Sequence, residues 1–137
     1  MAFVLDCSVT MAWVFPDEAS ASTDALRESL VEDSAFVPAL WAVETGNVLL
    51  TATSRGRIAK DDWRQLRESL QALPINIDPV STDRVWGAAL ELADACRISA
   101  YDAMFLKLAL RLRLPLATLD RPLARAARRA GVVVLPG

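Results

Sequence analysis

The chain of 137 residues contains no histidine and only two cysteines, Cys7 and Cys96. Without an imidazole, the Ser–His–Asp and Cys–His types of nucleophilic site are excluded. Two distant cysteines do not match the ligand spacing of a zinc site, and free thiols are typical of a reducing, cytoplasmic compartment. We expect Cys7 to be a small buried residue. Any catalysis must therefore use other side chains.

Long apolar runs are also absent. No segment approaches the roughly 20 residues of a transmembrane helix, and the N-terminus lacks the basic leader of a secretory signal. The length fits one domain, residues 1–137, with a substantial core. The 53% hydrophobic content and mean hydropathy of +0.28 are high, so we expect a further apolar surface for a subunit or partner. Trp13, Phe15 and Trp41 are the candidates for this surface.

Lysine is scarce, and the positive charge is mostly arginine. Between positions 111 and 129 six arginines accompany one aspartate, although the whole chain carries −2. Four of these arginines recur at i, i+4, i+7 and i+8 and so share one face of the last predicted helix: Arg121, Arg125, Arg128 and Arg129. Guanidinium groups suit phosphate contacts. The stripe is therefore either an RNA-binding track or a solvated helix face.

Short apolar runs alternate with helical patterns along the whole chain, which predicts an α/β fold with a parallel sheet covered on both faces. The predicted strands are Ala2–Asp6, Ala35–Val37, Pro74–Ile77, Leu116–Thr118 and Val132–Leu135. The predicted helices are a short one capped by Ser8, then Glu18–Glu32, Ala39–Ser54, Asp61–Ala72, Thr82–Cys96, Ala100–Leu112 and Asp120–Ala130.

Four carboxylates occupy positions that such a sheet would bring to one edge: Asp6, Glu44, Asp102 and Asp120. Ligands of open parallel sheets bind at the carboxyl ends of the strands. Two unit charges about 4 Å apart repel by roughly 4 kcal/mol at an effective dielectric near 20. A hard divalent cation would neutralise them, and an all-oxygen set favours Mg²⁺ or Mn²⁺ over zinc.

Helix capping is the structural alternative for these acids. Ser99 and Asp102 have the spacing of a capping box, Asp120 can cap the last helix, and Asp6 can turn the chain. Glu44 is different, because it interrupts an apolar helix with only Asn47 at i+3 as a polar partner, and a buried charge needs a counter-ion. Asp78, after the third strand, is expected in a turn or cap.

The motifs together resemble a known family. They are Val4-Leu5-Asp6-x-Ser8, Pro38-x-Leu40-x-x-x-Glu44-x-x-Asn47, Tyr101-Asp102-Ala103 and Leu116-Ala117-Thr118-Leu119-Asp120. In this order they resemble the PIN-domain ribonucleases, and most of all the toxin component of VapBC-type toxin–antitoxin pairs. The resemblance covers essentially the whole chain. It implies a three-layer α/β/α PIN-like fold whose parallel sheet has about five strands in the order 3-2-1-4-5.

The resemblance also implies roles for individual residues. Asp6, Glu44, Asp102 and Asp120 would be the catalytic, metal-binding carboxylates; the supporting residues would be the hydroxyls of Ser8 and Thr118 beside them and Asn47 packed next to Glu44. The implied cofactor is Mg²⁺, with Mn²⁺ as a substitute. The implied reaction is endonucleolytic cleavage of RNA, and the implied partners are a second copy in a homodimer and a cognate antitoxin, with no membrane.

Other functions remain open from the sequence. A non-toxin RNA-processing PIN nuclease and a non-catalytic RNA-binding PIN-like module share the same motifs. A haloacid-dehalogenase-type phosphatase needs a second aspartate where this chain has Ser8. A receiver domain needs a lysine near its last strand, and none follows Lys107. Both of the latter classes fit poorly.

Overall fold

Five short strands form one parallel sheet in the order β3-β2-β1-β4-β5 in the computed structural model, which describes residues 1–79 and 82–137. The strands are β1 (Phe3–Leu5), β2 (Ala35–Pro38), β3 (Ile75–Asp78), β4 (Leu116–Ala117) and β5 (Val134–Leu135). Every neighbouring pair is parallel. The predicted fold class and strand order are confirmed.

Helices cover both faces of this sheet. They are α1 (Cys7–Val14), α2 (Ala21–Ser29), α3 (Leu40–Ser54), α4 (Trp63–Gln71), α5 (Thr82–Arg84), α6 (Leu90–Cys96), α7 (Ala100–Leu112) and α8 (Arg121–Arg129). A π-helical turn, Val85–Ala89, joins α5 to α6, where the sequence predicts one uninterrupted α-helix. Among these described helices none has the length and apolarity needed to cross a membrane.

The central strand β1 explains why the N-terminal run is continuously apolar. Phe3, Val4 and Leu5 are all essentially inaccessible to solvent, because a parallel strand between two helical layers is buried on both faces. Phe105 of α7 and Leu123 of α8 belong to the same buried cluster. The core therefore fixes the position of β1, and with it that of Asp6, the residue that follows β1.

Local capping chemistry sets two helix starts differently from the prediction. α2 begins at Ala21 because Ser20 and Thr23 form a reciprocal capping box, with Thr23 N donating to Ser20 Oγ at 3.1 Å. Pro16–Glu18 forms a separate 3₁₀ turn. The cap of α1 is Asp6, whose side chain accepts from Ser8 N, so the prediction that Ser8 caps this helix is wrong.

The early aromatic residues are core residues. Phe15 and Trp41 are buried, and half-buried Trp13 donates its indole N–H to the carbonyl of Thr23 at 2.8 Å. The prediction that they form an exposed partner surface is wrong for Phe15, because α1 packs between α2 and α3. Trp41 is buried but lines a groove beside α3.

We expect Thr10→Val to lower the free energy of unfolding by about 1–3 kcal/mol, because it leaves a buried donor without an acceptor. Trp41 Nε1 donates to Thr10 Oγ1 at 2.9 Å in the interior, and valine keeps the shape of threonine but not its oxygen. Urea denaturation measures the change. Thr51→Val, at an exposed position, is the matched control, and equal losses in both variants would contradict this account.

Candidate active site

The fold brings the four predicted carboxylates into one electrostatic cluster at the carboxyl edge of the sheet. Asp6 follows β1, Asp102 lies in the first turn of α7, and Asp120 precedes α8. Glu44, on α3, lies close enough to Asp6 and Asp102 for their negative charges to raise its pKa. The charges of Asp6 and Asp120 in turn raise the pKa of Asp102. We refer to these four residues as the acid cluster.

Two hydroxyls hold the Asp6 carboxylate. Ser8 Oγ and Thr118 Oγ1 donate to Asp6 Oδ2 at 2.6 and 2.8 Å. Ser8 Oγ also accepts from the backbone N of Leu119 at 2.9 Å, and Thr118 Oγ1 from that of Asp120 at 3.1 Å. Burial raises the pKa of Asp6, although these hydroxyl bonds oppose the rise. The segments after β1 and β4 are thus tied together through Asp6.

Asp102 and Asp120 are in contact with each other while also standing at helix N-termini. Ser99 Oγ accepts from the backbone N of Asp102 at 3.0 Å and caps α7, and Asp120 Oδ2 accepts from Leu123 N at 3.3 Å and caps α8. Burial, followed by the negative charges of Asp6 and Asp120, raises the pKa of Asp102 to about 6. In Asp120, capping and membership of the acid cluster therefore coexist.

Glu44 is the least compensated member of the acid cluster. Its Oε1 is buried and has no hydrogen-bond partner among the described residues. Burial, with the charges of Asp6 and Asp102, raises its pKa to about 7. Asn47, which the sequence predicts to pack next to Glu44, is exposed and lines a groove beside α3.

Two further polar candidates have structural roles. Cys7 Sγ lies 3.8 Å from Thr45 Oγ1, and burial raises the pKa of the thiol to about 12, which disfavours the thiolate that a nucleophilic cysteine needs. Asp78 pairs with Arg111 at 2.6 Å and with Arg84 at 3.4 Å. It therefore ties β3 to α5 and α7 through ion pairs, where a turn or cap was expected.

The donor chemistry of the acid cluster fits a hydrated divalent cation. Across residues 1–79 and 82–137, no three acidic, histidine or cysteine side chains stand close enough to enclose an ion by themselves. Mg²⁺, however, keeps several waters and usually takes one or two carboxylates. The contact between Asp102 and Asp120 and the unpartnered Glu44 Oε1 supply oxygen donors of this kind.

The PIN domain family matches residues 3–129 of the chain. The chain belongs to the PIN domain family. Members of this family are generally nucleases and typically use divalent metal ions. No curated protein matches this PIN domain closely enough to be a relative.

Solved structures share the fold of this PIN domain. PAE2754 from Pyrobaculum aerophilum is 21% identical with a TM-score of 0.68, over 98% of this chain and 92% of the other. VapBC2 from Rickettsia felis, bound to a DNA fragment from their promoter, is 14% identical with a TM-score of 0.65, over 98% and 97%. A toxin–antitoxin complex from Klebsiella pneumoniae is 18% identical with a TM-score of 0.58, over 86% of each chain.

We expect Glu44→Gln to stabilise the metal-free PIN domain at pH 8 by about 1–2 kcal/mol, after discounting for partial exposure. The pKa of Glu44 rises from 4.5 to about 7 on folding. The folded state therefore binds an extra proton, and the free energy of unfolding falls as the pH rises through that interval. Glutamine stays neutral, so the free energy of unfolding of the variant does not fall in this way as the pH rises.

Urea denaturation in the presence of EDTA at pH 4 and pH 8 measures the effect. The gain should be largely confined to pH 8, because at pH 4 Glu44 is neutral in the folded protein and mostly neutral in the unfolded chain. Glu28→Gln, on the exposed face of α2, is the control. A gain of equal size at both pH values would show that charge is not its cause.

Proposed function

We propose that this PIN domain is a metal-dependent endoribonuclease that hydrolyses RNA phosphodiester bonds at the acid cluster. The observation that carries the proposal is the unpartnered, buried Oε1 of Glu44 among three further carboxylates. No basic side chain contributes to the raised pKa of Asp6, Glu44 or Asp102. A cation from solution is the missing component.

Asp6, Glu44, Asp102 and Asp120 would hold Mg²⁺, or Mn²⁺ in its place. When bound, such an ion lowers the pKa of water and stabilises charge on phosphate oxygens. Ser8 and Thr118 fix the Asp6 carboxylate through the two hydroxyl bonds. In a chain without histidine, a carboxylate has to accept the proton of the attacking water. Glu44, whose Oε1 has no other partner, is available for this role.

The arginine stripe supports RNA as the substrate. Arg121, Arg125, Arg128 and Arg129 are all exposed on α8, while the opposite face of the helix is buried. None of the four forms an ion pair with another described residue. α8 begins directly after Asp120, so the stripe extends from the acid cluster. We propose that it contacts the phosphates of the RNA.

We expect purified protein to cleave RNA in Mg²⁺ or Mn²⁺ and to lose that activity in EDTA. Asp6→Asn and Asp102→Asn should each reduce the cleavage rate by at least about 100-fold, because each removes charge at the metal-binding oxygens. Asp24→Asn, at an exposed position on α2, should retain it. Product ends on a labelled RNA are read by gel.

Survival of cleavage in both cluster variants would reject the catalytic assignment. RNA binding without cleavage by the wild-type protein would instead favour the non-catalytic RNA-binding module.

We infer further that the chain is the toxin of a toxin–antitoxin pair. Two structural neighbours, VapBC2 and the Klebsiella complex, are toxin–antitoxin assemblies. The structure offers an apolar groove of about 860 Å³ between α3, α4 and the edge strand β3. Large apolar side chains at its rim are exposed: Val43, Leu50 and Ile77. We propose that an apolar segment of the antitoxin covers this groove, in an assembly that also contains a toxin homodimer.

We expect expression of the chain alone to arrest growth and co-expression of the neighbouring small open reading frame to relieve the arrest. Leu50→Asp should weaken this relief by placing a charge in the groove, while cleavage by the purified variant is unchanged. Leu90→Asp, exposed but outside the groove, is the control. Normal growth with the chain alone would count against the toxin role.

A further inference from the structure

A second cleft opens beside the acid cluster, between α8 and the ends of β4 and β5. Its volume is about 420 Å³. The residues that line it are Thr118, Leu119, Arg121, Ala124, Arg125, Arg128, Val134 and Pro136. Thr118 also donates to Asp6 Oδ2. The cleft, called here the α8 cleft, therefore adjoins the acid cluster through Thr118.

The lining of the α8 cleft combines two chemistries. Arg121, Arg125 and Arg128 follow about 10 Å of helix at 1.5 Å per residue, and their side chains are exposed and without ion pairs within the described part of the chain. Leu119, 45% exposed, and Pro136 supply apolar surface. A track for phosphates alone needs no apolar wall, whereas a nucleotide presents both a phosphate and a flat apolar base.

The backbone of Leu119 is tied to the acid cluster through Ser8. The backbone N–H of Leu119 donates to Ser8 Oγ at 2.9 Å, and Ser8 Oγ donates to Asp6 Oδ2. Thr118 and Asp120, on either side of Leu119, are joined by a further bond at 3.1 Å. A contact surface fixed in this way loses little freedom when a ligand binds.

We propose that the α8 cleft is a subsite for one unpaired nucleotide next to the cleaved phosphodiester, with its base against Leu119 and Pro136 and its phosphate on Arg121 and Arg125. The inference rests on the proposed nuclease function and specifies its substrate. Within a duplex both faces of a base are stacked on neighbours, so the wall can be reached only by an unstacked base. The enzyme therefore requires an unpaired, base-bearing nucleotide on one side of the cut.

The test uses one single-stranded RNA oligonucleotide with a mapped cleavage position. Two further versions carry an abasic nucleotide, one on each side of the cut. We expect one abasic version to lower kcat/KM for the wild-type protein about five-fold, the change expected for losing about one buried methylene-sized contact.

Leu119→Ala should lower kcat/KM on the intact oligonucleotide about as much, and should cause no further loss on the abasic one. Arg125→Ala should raise KM on every version and reduce its dependence on salt. Val31→Ala, exposed before β2 at the opposite edge of the sheet, is the control and should match the wild type.

Equal kcat/KM on all three oligonucleotides would overturn the subsite, as would additive losses from Leu119→Ala and the abasic position. If the wild-type protein cleaves no RNA, the proposed function fails. The subsite is then judged by fluorescence anisotropy, in EDTA, of a short single-stranded RNA and of its fully abasic counterpart. A base-dependent Kd that Leu119→Ala abolishes supports it, and an unchanged Kd rejects it.

Discussion

Negative charge crowded at the carboxyl edge of the sheet is the constraint on which the functional interpretation depends. Asp6 is almost fully buried, and burial is the largest cause of the raised pKa of Asp6, Glu44 and Asp102. Such an arrangement destabilises a folded chain unless something compensates it. Hydroxyl and backbone donors compensate Asp6 and Asp120, but Glu44 receives no compensation from the described residues. Uncompensated groups of this kind are typical of functional sites.

The same acids also organise the chain around them. Asp6 and Asp120 cap α1 and α8, and the Ser8 and Thr118 hydroxyls join the two turns. Because Asp6 and Asp120 accept from backbone N–H groups of the helices they cap, the fold itself positions these two carboxylates. A substitution of Asp6 or Asp120 changes both helix capping and charge. Activity assays of such variants are therefore interpretable only beside a stability measurement.

The resemblance of the sequence to a known family was enough to predict the strand order. The directions of the predicted strands and helices were enough to predict that the four distant acids lie at one edge of the sheet. Finer features depended on packing that periodicity does not encode. Phe15 and Trp41 are core residues because α1 is enclosed by neighbouring helices. Asn47 lines a groove that forms only where α3, α4 and β3 meet. The π-helical turn at Val85–Ala89 and the apolar wall of the α8 cleft have no signature in composition or spacing.

Helix α3 has one property that links two surfaces of the molecule. It is a single helix of 15 residues, about 22 Å long at 1.5 Å per residue. Glu44 projects from it into the acid cluster, and Val43 and Leu50 from the same helix border the apolar groove. Because α3 is one continuous helix, a movement at one of these surfaces is transmitted to the other. A partner bound in the groove that tilted α3 would displace Glu44 and impair the acid cluster without contacting it.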